Sequence, residues 1–249
     1  MDLELKQKFL ASWKKFFGEA ELPITFYYTN ETTGAEAVKP SKGWSCFIAH
    51  LQPVRKGQAL RFDVDAIGCL GGKRYLGFTR SLSPTIHFFL SCGIPGKLEG
   101  ERYKKTPEIA QQLISSQTEF IAPAKYMVCK RWDLLEEADH PEVAIFFVTP
   151  DILSGLFTLA NFDRADSNGV FSPFSAGCGA IVKFPYDEKD APEPRAVIGL
   201  FDPSARPYIG PNELTFAVPM NKLTAMINDM EESFLIAPAW TKLSQRLKK

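Results

Sequence analysis

"VAIFFVTPDILSGLFTLAN", residues 143–161, carries the fold class. Its first six residues are apolar and rich in β-branched and aromatic types, the pattern of a strand. Thr149 and Pro150 then open a helix. Threonine is a good N-cap, and proline at the first helical position gives up an N–H that has no intrahelical partner anyway. Asn161 stands at the helix end. A strand passed directly to a helix predicts a sheet covered by helices.

The same grammar extends outward along the chain. "LPITFYYT" (22–29) reads as a buried strand, and "ALRFDV", "KYMVCK", "RAVIGLF" and "LTFAVP" as further strands. "TIHFFLS" (85–91) also reads as a strand, which takes His87 into it, and Cys92 and Cys129 read as strand residues. Phe9, Leu10, Trp13, Phe16 and Phe17 follow helical spacing, with Gly18 as the cap. "TPEIAQQLISSQ" repeats the Thr-Pro opening, with Thr106 as N-cap and Pro107 in the first turn. "WSCFIAHLQ" is expected to be a short helix stopped near Pro53, after the turn-rich "NETTGAEAVKPSKG". "PYDEKDAPEP" is expected to be a surface loop. The last long helix starts near Met220, and a short terminal helix holds Trp240. Seven or eight strands among these helices predict an α+β fold, with a mixed or antiparallel sheet covered by helices, in a single globular domain over residues 1–249.

Two stretches echo each other. "PITFYYT" and "VAIFFVT" are aromatic strands ending in threonine, and each precedes a Gly-Cys element, "AIGCLGGKRYLGF" and "FSAGCGAIVKF". The pattern is that of an internal repeat, roughly residues 20–120 and 140–235, about a pseudo-two-fold axis. It sets Cys69 and Cys178 in equivalent places. Chance likeness of apolar strands is the rival reading.

Composition excludes some classes. Lys plus Arg and Asp plus Glu number 29 each, so no net basic field is available to hold nucleic acid or an anionic membrane. The basic tail "TKLSQRLKK" reads as a solvated helix end. No segment reaches the ~18 apolar residues of a membrane span, and the first residues are charged and periodic, without an apolar signal core. A cytoplasmic protein is expected, with its five cysteines reduced. A homodimer is expected on the general frequency of such assemblies alone.

The cysteines carry the chemistry. No C-x-x-C occurs, so the usual zinc-ribbon and redox spacings are missing. Cys46, Cys69 and Cys178 each fall at a turn or an element end. Gly68 and Gly71 flank Cys69, and Gly177 and Gly179 flank Cys178. Glycines let a backbone bend through positive φ or approach a ligand closely, and a nest of N–H groups stabilises a thiolate. Three thiolates meeting in space could hold zinc or an iron–sulfur cluster with an open position. Against this stands packing, because free cysteine is a small buried hydrophobe. Cys46 and His50 lie four apart, a spacing for two ligands on one helix face or for a core histidine. His140 precedes a proline in a loop and carries no assignment.

Polar residues gather in two further places. Asn161 and Asp163 fall at a helix end, and "FDPSARP" places Asp202 and Arg206 in a proline-bounded turn. Arg206 is a candidate clamp for an anionic small molecule, or a partner for Asp202 that holds the turn. Phosphate-loop, dinucleotide, nucleophile-elbow and zincin motifs are all missing.

"WSCFIAHL…VRKGQALRFDVDAIGCLGGKRYLGF", "FFVTPDILSGLFTLANFD", "GCGAIV", "GLFDPSARP" and "LTFAVPMNKLTAMINDMEESFL" together resemble domain-of-unknown-function family 169. The likeness spans about residues 20–247. It implies an uncharacterised, mostly cytoplasmic protein of bacteria or archaea, with cysteines at the positions of Cys46, Cys69 and Cys178. Three functions follow as expectations: a metal or iron–sulfur centre on those cysteines, a thiol enzyme using Cys69 or Cys178, or a non-catalytic binder of a small molecule between two halves.

Overall fold

The computed structural model describes residues 1–32 and 34–248. Thr33, in the turn-rich stretch, and Lys249, in the basic tail, lie outside them. The chain runs α1 (Leu3–Phe17), β1 (Ile24–Thr29), β2 (Glu36–Ala37), α2 (Phe47–Arg55), β3 (Leu60–Phe62), α3 (Leu70–Tyr75), α4 (Ile86–Phe89), α5 (Pro107–Ser116) and β4 (Tyr126–Arg131). It continues through β5 (Val143–Val148), α6 (Pro150–Ala160), β6 (Val170–Phe171), α7 (Phe184–Glu188), β7 (Ala196–Gly199), β8 (Leu214–Pro219), α8 (Met220–Asp229) and α9 (Pro238–Ser244). A π-helical turn, Gly179–Lys183, leads without a break into α7.

The eight strands form one mixed sheet in the order β2-β3-β4-β1-β5-β8-β7-β6, so the fold is α+β. Period-two alternation explains the opening stretch. In β5, Val143, Ile145 and Phe147 face one apolar cluster, while Ala144, Phe146 and Val148 face another. All six are buried, which is why the run contains no polar residue. The first cluster lies under α2, α3 and α7 and includes Phe26, Ile48, Leu51 and Ile181. The second lies under α1, α6, α8 and α9 and includes Phe9, Trp13, Leu156, Leu223 and Trp240. Two of the expected caps form, with Thr106 Oγ1 accepting the Ile109 N–H and Gly18 closing α1 at φ 66°, whereas Thr149 stands at the N-cap position of α6 without a side-chain cap hydrogen bond.

The strand order is palindromic. With β5–β8 counted as a second set of four, both halves read 2-3-4-1 outward-in. The central β1/β5 pair is antiparallel with Thr25 opposite Ala144. Both edge pairs, β2/β3 and β6/β7, are parallel. This order puts Cys178, between β6 and β7, in the chain position of Cys46, between β2 and β3. Cys69 comes after β3, so it is not the topological counterpart of Cys178, as the Gly-Cys likeness had paired them.

Four segments depart from the sequence expectations. Residues 86–89 are α4, not a strand: the stretch lies off the sheet, where no strand can complete its hydrogen bonds. Cys92 consequently falls in an exposed loop. The Cys69 "turn" is a helix start, with Gly72 N–H on Cys69 Sγ (3.5 Å), and the bend comes later, at Gly77 (φ 77°). α2 runs through Pro53 to Arg55, since a proline late in a nine-residue helix disturbs only the final turn. Finally, "PYDE" belongs to α7, with Pro185 in its first turn and Tyr186 and Glu188 buried.

Candidate functional site

Three short connections bring the three cysteines together. Cys46 is the N-cap of α2, Cys69 of α3, and Cys178 of the π-helical turn. Each pair of connections is in contact. Gly68 N–H donates to Ser45 Oγ at 3.2 Å, and a Cβ on Gly68 would lie 2.1 Å from Gly43 O, so the Cys69 and Cys46 segments touch. A Cβ on Gly179 would lie 3.0 Å from the Tyr75 ring, which sets the Cys178 segment on α3. A Cβ on Gly177 would meet Leu200 Cδ2 at 2.6 Å and Ile48 Cγ1 at 3.6 Å, which sets the same segment on the first turn of α2. These glycines allow chain-to-chain packing. Gly71 has only Cys69 Sγ nearby, at 3.7 Å, and is not required in that sense.

Electrostatics reflects the convergence. Burial pushes the Cys178 thiol well above its ordinary range, and the charges of Cys46, Cys69 and Asp202 push the same way. Burial also raises Cys46, with Cys69 and Asp202 adding to it. The Ile48 and Ala49 N–H groups oppose that rise without closing a cap hydrogen bond. Burial is likewise the main cause of the raised Tyr75 hydroxyl, which also senses Cys178 and Asp202. Such thiols are held protonated, contrary to the lowered pKa expected of a nucleophilic Cys178. Among the described residues, no three His, Cys, Asp or Glu side chains form a ligand set for a metal ion. The cysteines are thus neighbours whose sulfurs do not make a coordination array as they stand.

Asp202 anchors the site. Its carboxylate accepts the Gly177 N–H (3.2 Å), the Tyr103 O–H (3.2 Å), and the Ser204 N–H (3.0 Å) and O–H (2.9 Å). Leu200, two residues earlier, is buried with φ 64°, a left-handed conformation that costs a branched side chain energy. Arg206 does not pair with Asp202. Its guanidinium donates to the carbonyls of Gly210, Pro211 and Glu213, and so clamps the next turn.

The remaining candidates lie elsewhere or have other duties. Asn161 caps α6, donating to Phe157 O and accepting from Gly169 N–H. Asp163 pairs with the buried Lys222. His50 packs edge-on to Phe62, its Nε2 is buried without a partner, and burial lowers its pKa. Cys129 is sealed in β4. Tyr75 and Tyr103 were not among the sequence candidates, because neither belongs to a motif and both reach the site only through the fold.

The fold and site define an α+β protein with a cysteine-lined junction between helix starts. The model of the DUF169 family, described as uncharacterised ArCR, matches residues 12–229, and the chain belongs to that family. No curated protein and no solved structure matches it significantly. Among the described residues, no helix is long and apolar enough to cross a membrane.

Proposed function

We propose that Cys46, Cys69 and Cys178 form one centre that takes up a thiophilic metal ion or an iron–sulfur cluster, at the junction of two related halves of the chain. The carrying observation is the pairwise contact of the three connections that hold these cysteines, through Gly68, Gly177 and Gly179. Residues far apart in sequence are packed so tightly here that a single methyl group would not fit at Gly68. The ionisation of Cys46 and Cys178, opposed by burial and by neighbouring negative charge, is favoured by a cation, because a metal ion stabilises the thiolate form. Binding requires the sulfurs to rotate toward each other and releases protons. A bound centre would supply Lewis-acid or electron-transfer chemistry, while the protein supplies the sulfurs and the nearby Asp202. A reducing cytoplasm suits such a site, since thiols persist there.

The palindromic strand order supports the relation between the halves. It also supports Cys46 as the partner of Cys178, since a proline follows each after the same interval, at Pro53 and Pro185.

The test is anaerobic purification or reconstitution with iron and sulfide, or with zinc, followed by metal analysis and visible absorption. The expected result is a stoichiometric centre in the wild type and its loss in Cys46→Ser, Cys69→Ser and Cys178→Ser. A metal-free wild type under all loading conditions, or a variant lacking all three sulfurs that retains the metal, overturns the proposal.

One observation favours a second reading, a thiol enzyme acting through Cys69. Its sulfur is half-exposed and already accepts the Gly72 N–H. An alkylation midpoint for Cys69 well below the free-thiol value of ~8.5 would support this reading, and one at that value would remove it.

A further inference from the structure

Residues 83–104 form a unit of their own beside the cysteine centre. Every turn and loop backbone hydrogen bond they make closes within the segment. Glu101 N–H donates to Phe89 O (2.7 Å), Arg102 N–H to Ser91 O (3.0 Å) and Lys104 N–H to Leu90 O (2.9 Å), so the return strand of the loop is stitched to α4. The tip is a tight reversal, with Ile94 N–H on Leu98 O at 2.7 Å. Gly93 and Gly100 pack backbone to backbone, leaving no room for a Cβ on Gly100, which would sit 2.2 Å from Gly93 N. This self-bonded helix and loop form a compact unit.

Its ties to the sheet-bearing body near the site are side-chain contacts. Tyr103 O–H donates to Asp202 Oδ1 (3.2 Å), and Lys104 Nζ stands 3.8 Å from the centre of the Phe174 ring. Both anchors flank Cys178: Asp202 accepts the Gly177 N–H, and Phe174 lies four residues before the sulfur. Besides the packing of α4 against α5, the segment is held on its cysteine side by one hydrogen bond and one cation–π contact, a latch that opens at low cost.

We propose that residues 83–104 are a lid over the cysteine centre, latched by Tyr103 on Asp202, and that lid opening admits ligand to Cys178. The lid depends on where the cysteines are and not on what they bind, so it stands or falls separately from the metal proposal.

The five cysteines provide the readout. Cys92 rides exposed on the lid, Cys129 is sealed in the sheet, and Cys178 is buried next to Gly177, whose N–H shares the Asp202 carboxylate with the latch. Peptide-resolved iodoacetamide labelling at one pH follows all of them in one sample of the full chain. Tyr103→Phe is expected to speed Cys178 labelling about fivefold, the equilibrium equivalent of one ordinary hydrogen bond, with Cys92 and Cys129 unchanged. Lys104→Ala is expected to shift Cys178 in the same direction. Native-state hydrogen exchange should show the Phe89–Lys104 amides opening together, ahead of β1 and β5, and faster in Tyr103→Phe. An unchanged Cys178 rate in both variants overturns the lid. So does a rise in Cys129 labelling in step with Cys178, which marks general unfolding.

Discussion

Cys46 and Cys178 occupy the same place in two corresponding connections: each opens a helix between the two outermost strands of its half-sheet. Both thiols sense the Asp202 carboxylate, and its charge raises both of their pKa values. Asp202→Asn keeps a hydrogen-bond acceptor for Gly177 N–H and removes the charge. The pH midpoints for alkylation of Cys46 and Cys178 should both fall, which peptide mapping across a pH series would measure. Midpoints that rise or stay fixed would contradict the placement of Asp202 beside both sulfurs.

The glycines around the cysteines should separate by role. Gly68→Ala forces a methyl group into Gly43 O and Ser41 Oγ, so a loss of about 1–3 kcal/mol is expected from overpacking. Gly71→Ala meets only Cys69 Sγ at an ordinary distance, inside a helix. Replacing a helical glycine by alanine should stabilise by about 0.5–1 kcal/mol. Urea unfolding of the two variants measures the contrast.

Acid should weaken the fold through Asp139. Burial would raise this carboxyl, but hydrogen bonds from Lys130 and Tyr27 overcome that and hold it below its ordinary value. Lys130 Nζ lies 2.8 and 2.9 Å from the two carboxylate oxygens, with both side chains nearly sealed from solvent. A lowered folded-state pKa means that the stabilisation is complete above the unfolded value of ~3.9 and is lost as pH falls through the folded value. Asp139→Asn should flatten the stability–pH curve in that window. It should also destabilise by up to about 3 kcal/mol near neutrality, because it leaves the buried Lys130 charge with only the more distant, exposed Glu136 carboxylate at 3.5 Å.

Two buried threonines should respond oppositely to valine. Thr25 Oγ1 donates to Lys130 O, so Thr25→Val should cost about 1 kcal/mol. Thr215 Oγ1 is buried without a partner, so Thr215→Val should be neutral or stabilising. Thermal unfolding of the two single variants tests the pair.

Strong local signals were legible from sequence. The β5 run, the Thr-Pro helix starts and the Gly18 cap are set by neighbours a few residues apart, and each element formed where its pattern predicted. Short apolar stretches were harder: "TIHFFLS" has strand composition, but only the fold shows that no sheet edge is available to it. The cysteines were legible as candidates because of their glycine neighbours, yet the glycines serve packing between connections. Cys69 and Cys178 look alike locally, whereas the strand order relates Cys178 to Cys46. Tyr103 reaches Asp202 across ninety-nine positions of chain, a relation no spacing rule encodes.

The central β1/β5 pairing, only three residues long in register, has a consequence for assembly. Most strand pairing lies within each half, between positions closer together in sequence than the two ends of the cysteine junction. Cys46 and Cys69 belong to the first half and Cys178 to the second, so no portion of the chain ending before β5 contains a complete junction. The three-cysteine site is therefore a late product of maturation. A nascent or truncated chain offers isolated thiols, and only the finished molecule offers three together.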